Sequence, residues 1–180
     1  MEIIIAFDPG NVTGYAVFEG GKVKESGVIK FNATNPVKYL RKVQGLYTFF
    51  LPSAVFIEEP FIGPYPKAGI SLSEKVGFIK SAIWLHYPDA LIETINNRDV
   101  KKTVCGKANA KKADVIRRIN RLYKKKITND NEADAVAIAH TAWKKYMPEK
   151  ETEILTPEEA EIIRNKVLTP YDINEEVYLL

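Results

Sequence analysis

The feature that most constrains this chain is a short apolar run that ends in an acid and a turn. Ile3, Ile4, Ile5, Ala6 and Phe7 lead into Asp8, Pro9 and Gly10. A run without polar alternation, closed by Pro-Gly, reads as a strand covered on both faces of a sheet. The strand spans residues 2–8 and requires layers on either side of it.

The rest of the chain supplies them. Residues 14–19 and 22–31 read as strands around Gly20-Gly21, a hairpin turn signal. A helix opens with Asn35 as N-cap and Pro36 as its first residue, and its apolar face uses Val37, Leu40, Val43, Leu46 and Tyr47. Residues 54–58 form a fourth strand that runs into a loop rich in proline (Pro60, Pro64, Pro66). Residues 71–87 are helical, with Leu72, Val76, Ile79, Ile83 and Trp84 on one side. A fifth strand covers 91–95. Short helices follow near 97–105 and 110–125, and a last one covers 132–146. A three-stranded meander followed by alternating helix and strand predicts an α/β fold, a five-stranded mixed sheet flanked by helices. Pro148 closes this body, so the reading is one domain over 1–147 and an acidic extension over 148–180. Thr156-Pro157-Glu158-Glu159 predicts a short helical appendage there, to about residue 167.

Of the 180 residues, 46% are hydrophobic and 27% charged, which excludes collagenous and wholly disordered chains. The apolar stretches are far shorter than the roughly 20 residues that cross a bilayer. Cys105, the single cysteine, has no partner for an internal disulfide and is expected as a small buried residue in a reducing compartment. The first residues carry no basic run or small-residue cleavage site, so a cytoplasmic location is expected. The net charge of +3 hides an asymmetry, +9 over residues 1–147 against −6 over 148–180. Between Arg98 and Lys126 lie 12 basic residues and only two acids, Asp99 and Asp114. A basic body predicts a polyanionic partner. The acidic extension is a solubilising appendage, a segment that binds a protein partner, or a cover for the basic surface that competes with a polyanion.

Three acidic segments stand out. Asp8 and Glu58 each end an apolar strand, where backbone holds a carboxylate rigidly. Asn131 and Asp134 lie three apart and so share one helical face, followed by an alanine-rich stretch that permits close packing on a sheet. Each also has a plain structural use: a turn aspartate, a strand-end glutamate, a helix capped by Asn131. Together, such hard oxygen donors suit Mg²⁺ or Mn²⁺, and two ions can clamp the attacking and leaving oxygens in phosphodiester hydrolysis.

The pattern resembles the RuvC family of Holliday-junction resolvases, which have a ribonuclease-H-like fold. The resemblance rests on Ile5-Ala6-Phe7-Asp8-Pro9-Gly10 with Thr13-Gly14-Tyr15-Ala16-Val17, and on Phe56-Ile57-Glu58-Glu59-Pro60-Phe61. It continues in Arg98-Asp99-Val100-Lys101-Lys102-Thr103-Val104-Cys105-Gly106 and Ala133-Asp134-Ala135-Val136-Ala137-Ile138-Ala139. It implies that Asp8, Glu58, Asn131 and Asp134 are the catalytic metal ligands for two Mg²⁺ ions, with Mn²⁺ able to substitute. Asn131 departs from the family, which has Asp or His there. The resemblance also implies DNA contacts: Phe61 at the crossover point, Lys101 and Lys112 near the scissile phosphate, and Arg98, Lys102, Lys107, Lys111 and Arg117 along the backbone. Helix 71–87 would form a homodimer interface. Glu59, His86 and His140 are expected to be supporting residues. The expected function is a structure-selective endodeoxyribonuclease that nicks four-way DNA junctions symmetrically. Two alternatives stay open: a related nuclease for flaps, branched DNA or RNA–DNA hybrids, and a junction-binding protein whose catalysis Asn131 impairs. An actin-like phosphate binder needs two lobes, and the chain is short for that.

Overall fold

Five strands form one sheet: β1 (Ile3–Asp8), β2 (Val12–Glu19), β3 (Lys22–Lys30), β4 (Ala54–Glu58) and β5 (Ile92–Ile95), in the order β3-β2-β1-β4-β5. The computed structural model describes residues 2–61 and 66–147. β1, β2 and β3 are an antiparallel meander, while β4 and β5 run parallel to β1 and to each other. The two-residue turn at Gly20-Gly21 has positive φ at both positions, the geometry that fits a tight hairpin to twisted strands. The helices are α1 (Val37–Phe50), α2 (Pro66–Trp84), α3 (Asn97–Cys105), α4 (Lys112–Tyr123) and α5 (Asp130–Tyr146).

Strand alternation sorts the core into two layers. Ile4 and Ala6 of β1, Ala16 and Phe18 of β2, and Ala54 and Phe56 of β4 pack with α3, α4 and α5. Ile5, Phe7, Val17, Val55 and Ile57 face the other way, onto α1 and α2. Because the side-chain period of a strand is two, Asp8 and Glu58 continue the α5 face. Phe7 pairs with Ile57 across the parallel strands, so the two acids leave the sheet side by side.

Several expected details are corrected. The α1 cap is Pro36, whose carbonyl accepts from Leu40 N at 3.0 Å, and Asn35 makes no cap. Its buried face is Tyr39, Val43, Tyr47 and Phe50, with Val37 exposed. Tyr39 can be buried because its hydroxyl pairs with Thr13 Oγ1 at 3.0 Å, which meets the requirement that a buried polar group be bonded. α2 starts five residues earlier than expected, and Trp84 is exposed, its Nε1 donating to Ala90 O at 3.1 Å. α4 is shorter than residues 110–125, and α5 begins at Asp130. Asn129 caps α5 by accepting from Glu132 N, so Asn131 is not the cap. Cys105 is only half-buried. His140 is buried, its Nδ1 2.6 Å from the Tyr123 hydroxyl. The appendage helix expected near 156–167 lies outside the described residues.

Candidate active site

The site begins where β1 and β4 end. α5 crosses above them so closely that a Cβ at Gly14 would overlap the Asn131 carbonyl, and Gly14 is the partner of Asp8 across the β1–β2 ladder. Glycine is required there because backbone meets backbone. The first turn of α5 is therefore held over the strand ends, and Asp134 is brought to Asp8 and Glu58. Ser26 Oγ donates to Glu132 at 2.7 Å and ties the same turn to β3.

The electrostatics report the convergence. Burial pushes Asp8 up to about 8, and Glu58, Asp134 and Asp130 add to the rise while Lys112 opposes it. Asp134 is pushed up to about 6 by burial and by Glu58 and Asp130, against Lys112 and Lys101. Burial also raises Glu58, which an Asn97 side-chain hydrogen bond and the Lys101 and Lys112 ammonium groups partly offset. Lys112 Nζ donates to Asp130 Oδ2 at 2.7 Å, which holds Asp130 below its usual range and Lys112 above its own. Both partners of that pair are substantially exposed, so the pair contributes to charge placement more than to stability.

A family model for crossover junction endodeoxyribonuclease RuvC matches residues 4–142. The chain belongs to the RuvC family. The crossover junction endodeoxyribonuclease RuvC of Rickettsia bellii is 31% identical over 151 residues, covering 77% of this chain and 95% of that relative. Thermus thermophilus RuvC, solved with a Holliday junction substrate, superposes with a TM-score of 0.66 at 22% identity, over 78% of this chain and 92% of that one. The fowlpox virus Holliday junction resolvase gives 0.51 at 18% identity, over 79% and 98%. At such identities the structural likeness is one of fold, and the fold is ribonuclease-H-like.

Within this RuvC frame the structure gathers Asp8, Glu58, Asp134, Lys101 and Lys112 at one place. Asn131 lies one turn from Asp134 on the same face of α5 and brings no charge. Among the described residues, no three His, Cys, Asp or Glu side chains already close into a finished metal cage. Glu58 lies close enough to raise both Asp8 and Asp134, and as a donor set the three carboxylates fit a hard divalent cation. Phe61 is 80% exposed and so is not a core residue. With Arg98 it lines a groove of about 530 Å³ beside Glu58.

The other expected DNA contacts sit on the α3 and α4 side. Arg117 donates to Asp114 at 2.9 Å, and Lys107 lies 4.0 Å from the same carboxylate. Lys102 and Lys111 are exposed. A second groove of about 540 Å³ is lined by Thr103, Lys107, Arg117, Arg118 and Arg121. Sequence reasoning missed Asn97 as a partner of Glu58 and Asp130 as the anchor of Lys112. Asn97 carries no local signal, since it meets Glu58 only through the parallel β4–β5 pairing. Asp130 stands about 100° around the helix from Asn131, so helical spacing places it off the face, yet Lys112 meets it there.

Proposed function

We propose that this RuvC-family chain resolves four-way DNA junctions by metal-assisted hydrolysis of phosphodiester bonds. The carrying observation is the gathering of Asp8, Glu58 and Asp134 at the ends of two parallel strands under α5, where burial raises all three and neighbouring carboxylates raise Asp8 and Asp134 further. Carboxylates held this way favour a divalent cation as counter-charge. Asp8, Glu58 and Asp134 would hold Mg²⁺ or Mn²⁺, with the Asn131 amide oxygen as a neutral fourth donor. A divalent ion held there would supply Lewis-acid chemistry, activation of a water and neutralisation of the leaving oxygen.

The protein's own groups do the rest. Lys101 and Lys112 face the carboxylates and meet the non-bridging oxygens of the phosphate to be cut. Asp130 holds Lys112 in place until a phosphate competes for it. Two copies of the chain, joined through the outer face of α2, would cut symmetry-related strands. Ile70 of α2 and Leu85, which follows it, remain exposed and support that interface. We place the protein in the cytoplasm. No helix among the described residues is long and apolar enough to cross a membrane.

The test is cleavage of a labelled four-way junction beside a linear duplex and a flap, with Mg²⁺ and with EDTA. Paired nicks in the junction, lost with EDTA and with Asp8→Asn, are expected. Tight junction binding without nicks would favour a binding protein disabled at Asn131, and flap cutting alone would refute the substrate.

A further inference from the structure

Between Ser26 and Ile57 the sequence holds no acid and four basic residues, Lys30, Lys38, Arg41 and Lys42. All four are exposed, and none forms an ion pair among the described residues. Lys30 at the end of β3 converges with Lys38 and Lys42 of α1 on a groove of about 590 Å³ whose lining contains no acid. Lysine on an edge strand keeps that strand from pairing with another chain, which accounts for Lys30. It does not account for Lys38 and Lys42, which stand on a helix.

Neutral groups in the groove point to the same ligand. Asn32 Oδ1 accepts from Thr34 N at 3.0 Å and from Thr34 Oγ1 at 2.8 Å, so its Nδ2 is left to donate. Asn35 stands just before α1, whose first turn has no acid and no side-chain cap. The positive end of the helix dipole is therefore uncompensated beside Lys38. Ammonium groups, amide donors and a helix start all favour phosphate. The place in the fold says which phosphate. Asp8, Gly14 and Val28 lie in register across β1, β2 and β3, so Val28, in the groove wall, is two strand spacings or roughly 10 Å from Asp8. α3 and α4, with the other basic stretch, follow β5 at the opposite edge of the sheet. The carboxylates thus lie between two separate basic flanks. A linear duplex needs only one of them, whereas arms that diverge from a crossover meet both.

We propose that the β3–α1 groove is a second backbone site, in which Lys30, Lys38 and Lys42 hold phosphates of the junction arm that leaves the cut on the β3 side. The proposal rests on the junction-cleaving reading and adds to it the path of a second arm. Such contacts carry no base preference and fix the orientation in which the DNA is held.

The experiment measures affinity for a four-way junction and for a linear duplex in EDTA, from 50 to 300 mM salt. It compares the wild type with a chain carrying Lys30→Gln, Lys38→Gln and Lys42→Gln together. All three side chains are exposed, so the melting temperature should be unchanged. The log–log salt slope for the junction is expected to fall by about 2.7, at about 0.9 per phosphate contact. Junctions in which one or the other pair of opposite arms is shortened to a few base pairs then locate the site. Shortening one pair should lower the wild-type slope by as much as the triple substitution and leave the variant's slope unchanged. Shortening the other pair should lower both alike. An unchanged slope in the triple variant, or losses that add in full for both pairs of arms, overturns the site. A wild type that binds the junction no more tightly than the linear duplex overturns the junction reading itself, which separates the two failures.

Discussion

Asp8 carries the clearest electrostatic cost in the molecule, and the sign of that cost makes it measurable. Its folded-state pKa, about 8, lies far above the ordinary 3.8. Between those values the folded chain keeps a proton that the unfolded chain releases, so ion-free stability falls as pH rises through the window. His140 opposes this at the acid end, because burial lowers it to about 4 and its neutral form must charge on unfolding below about 6.5. The clean range is therefore pH 6.5 to 8.5. In EDTA the melting temperature is expected to fall by a few degrees across it, at about 2–4 °C per kcal/mol for a chain of this size. Asp8→Asn should flatten that slope, raise the melting temperature at pH 8 and abolish cleavage. A pH-independent melting temperature in EDTA would contradict the raised Asp8. Asn131 supplies a second residue-scale expectation. Asn131→Asp adds a full charge one turn from Asp134, so the Mg²⁺ concentration for half-maximal cleavage should drop several-fold. An unchanged Mg²⁺ requirement would place residue 131 outside the ion-binding set.

At the scale of elements, the site depends on how closely α5 lies on β2. Gly14→Ala would drive a methyl group into the Asn131 carbonyl, and backbone on both sides leaves no flexible atom to yield. Such overpacking costs about 1–3 kcal/mol and should lift Asp134 away from Asp8. Both consequences are visible in one experiment: a lower melting temperature, and a weaker dependence of it on pH in EDTA. Gly45→Ala is the matched control, since open space surrounds this α1 glycine. It should add about 0.5–1 kcal/mol of stability. The same comparison explains what could be read from the sequence. The strands and the two strand-end acids were legible because an apolar run and its closing acid are local patterns. Val43 and Tyr47 of α1 were legible too, but Tyr39 was not, since burying it depends on Thr13, a hydroxyl 26 residues away. Two asparagines two positions apart, Asn129 and Asn131, offer equally good caps locally, and the packing of Asn131 onto Gly14 decides between them. The Asn96–Glu59 bond spans 37 residues and exists only because β4 and β5 pair in parallel. Sequence thus located the strand-end carboxylates and left unseen the neighbours that fix them.

For the whole molecule the governing quantity is where the positive charge is free to meet a polyanion. The body carries +9, and 12 of its basic residues fall between Arg98 and Lys126, but they are not equivalent. Arg117 already holds Asp114 at 2.9 Å, and Lys112 holds Asp130 at 2.7 Å. Each must exchange a carboxylate for a phosphate, so its gain on binding DNA is reduced. Lys102 is exposed and makes no ion pair among the described residues. Each phosphate neutralised by such a side chain releases condensed counterions and steepens the salt dependence of binding, by about 0.9 in the log–log slope. Junction affinity measured in EDTA between 50 and 300 mM salt should therefore distinguish three kinds of lysine and arginine. Lys102→Ala is expected to lower the slope by about one. Arg117→Ala should lower it by clearly less, because Asp114 had already claimed part of that charge. Lys101→Ala should cut the cleavage rate more than the slope, since Lys101 faces the carboxylates and not the open surface. Equal slopes for wild type and Lys102→Ala would mean that DNA does not run along α3, and the basic stretch would then be a solvated face.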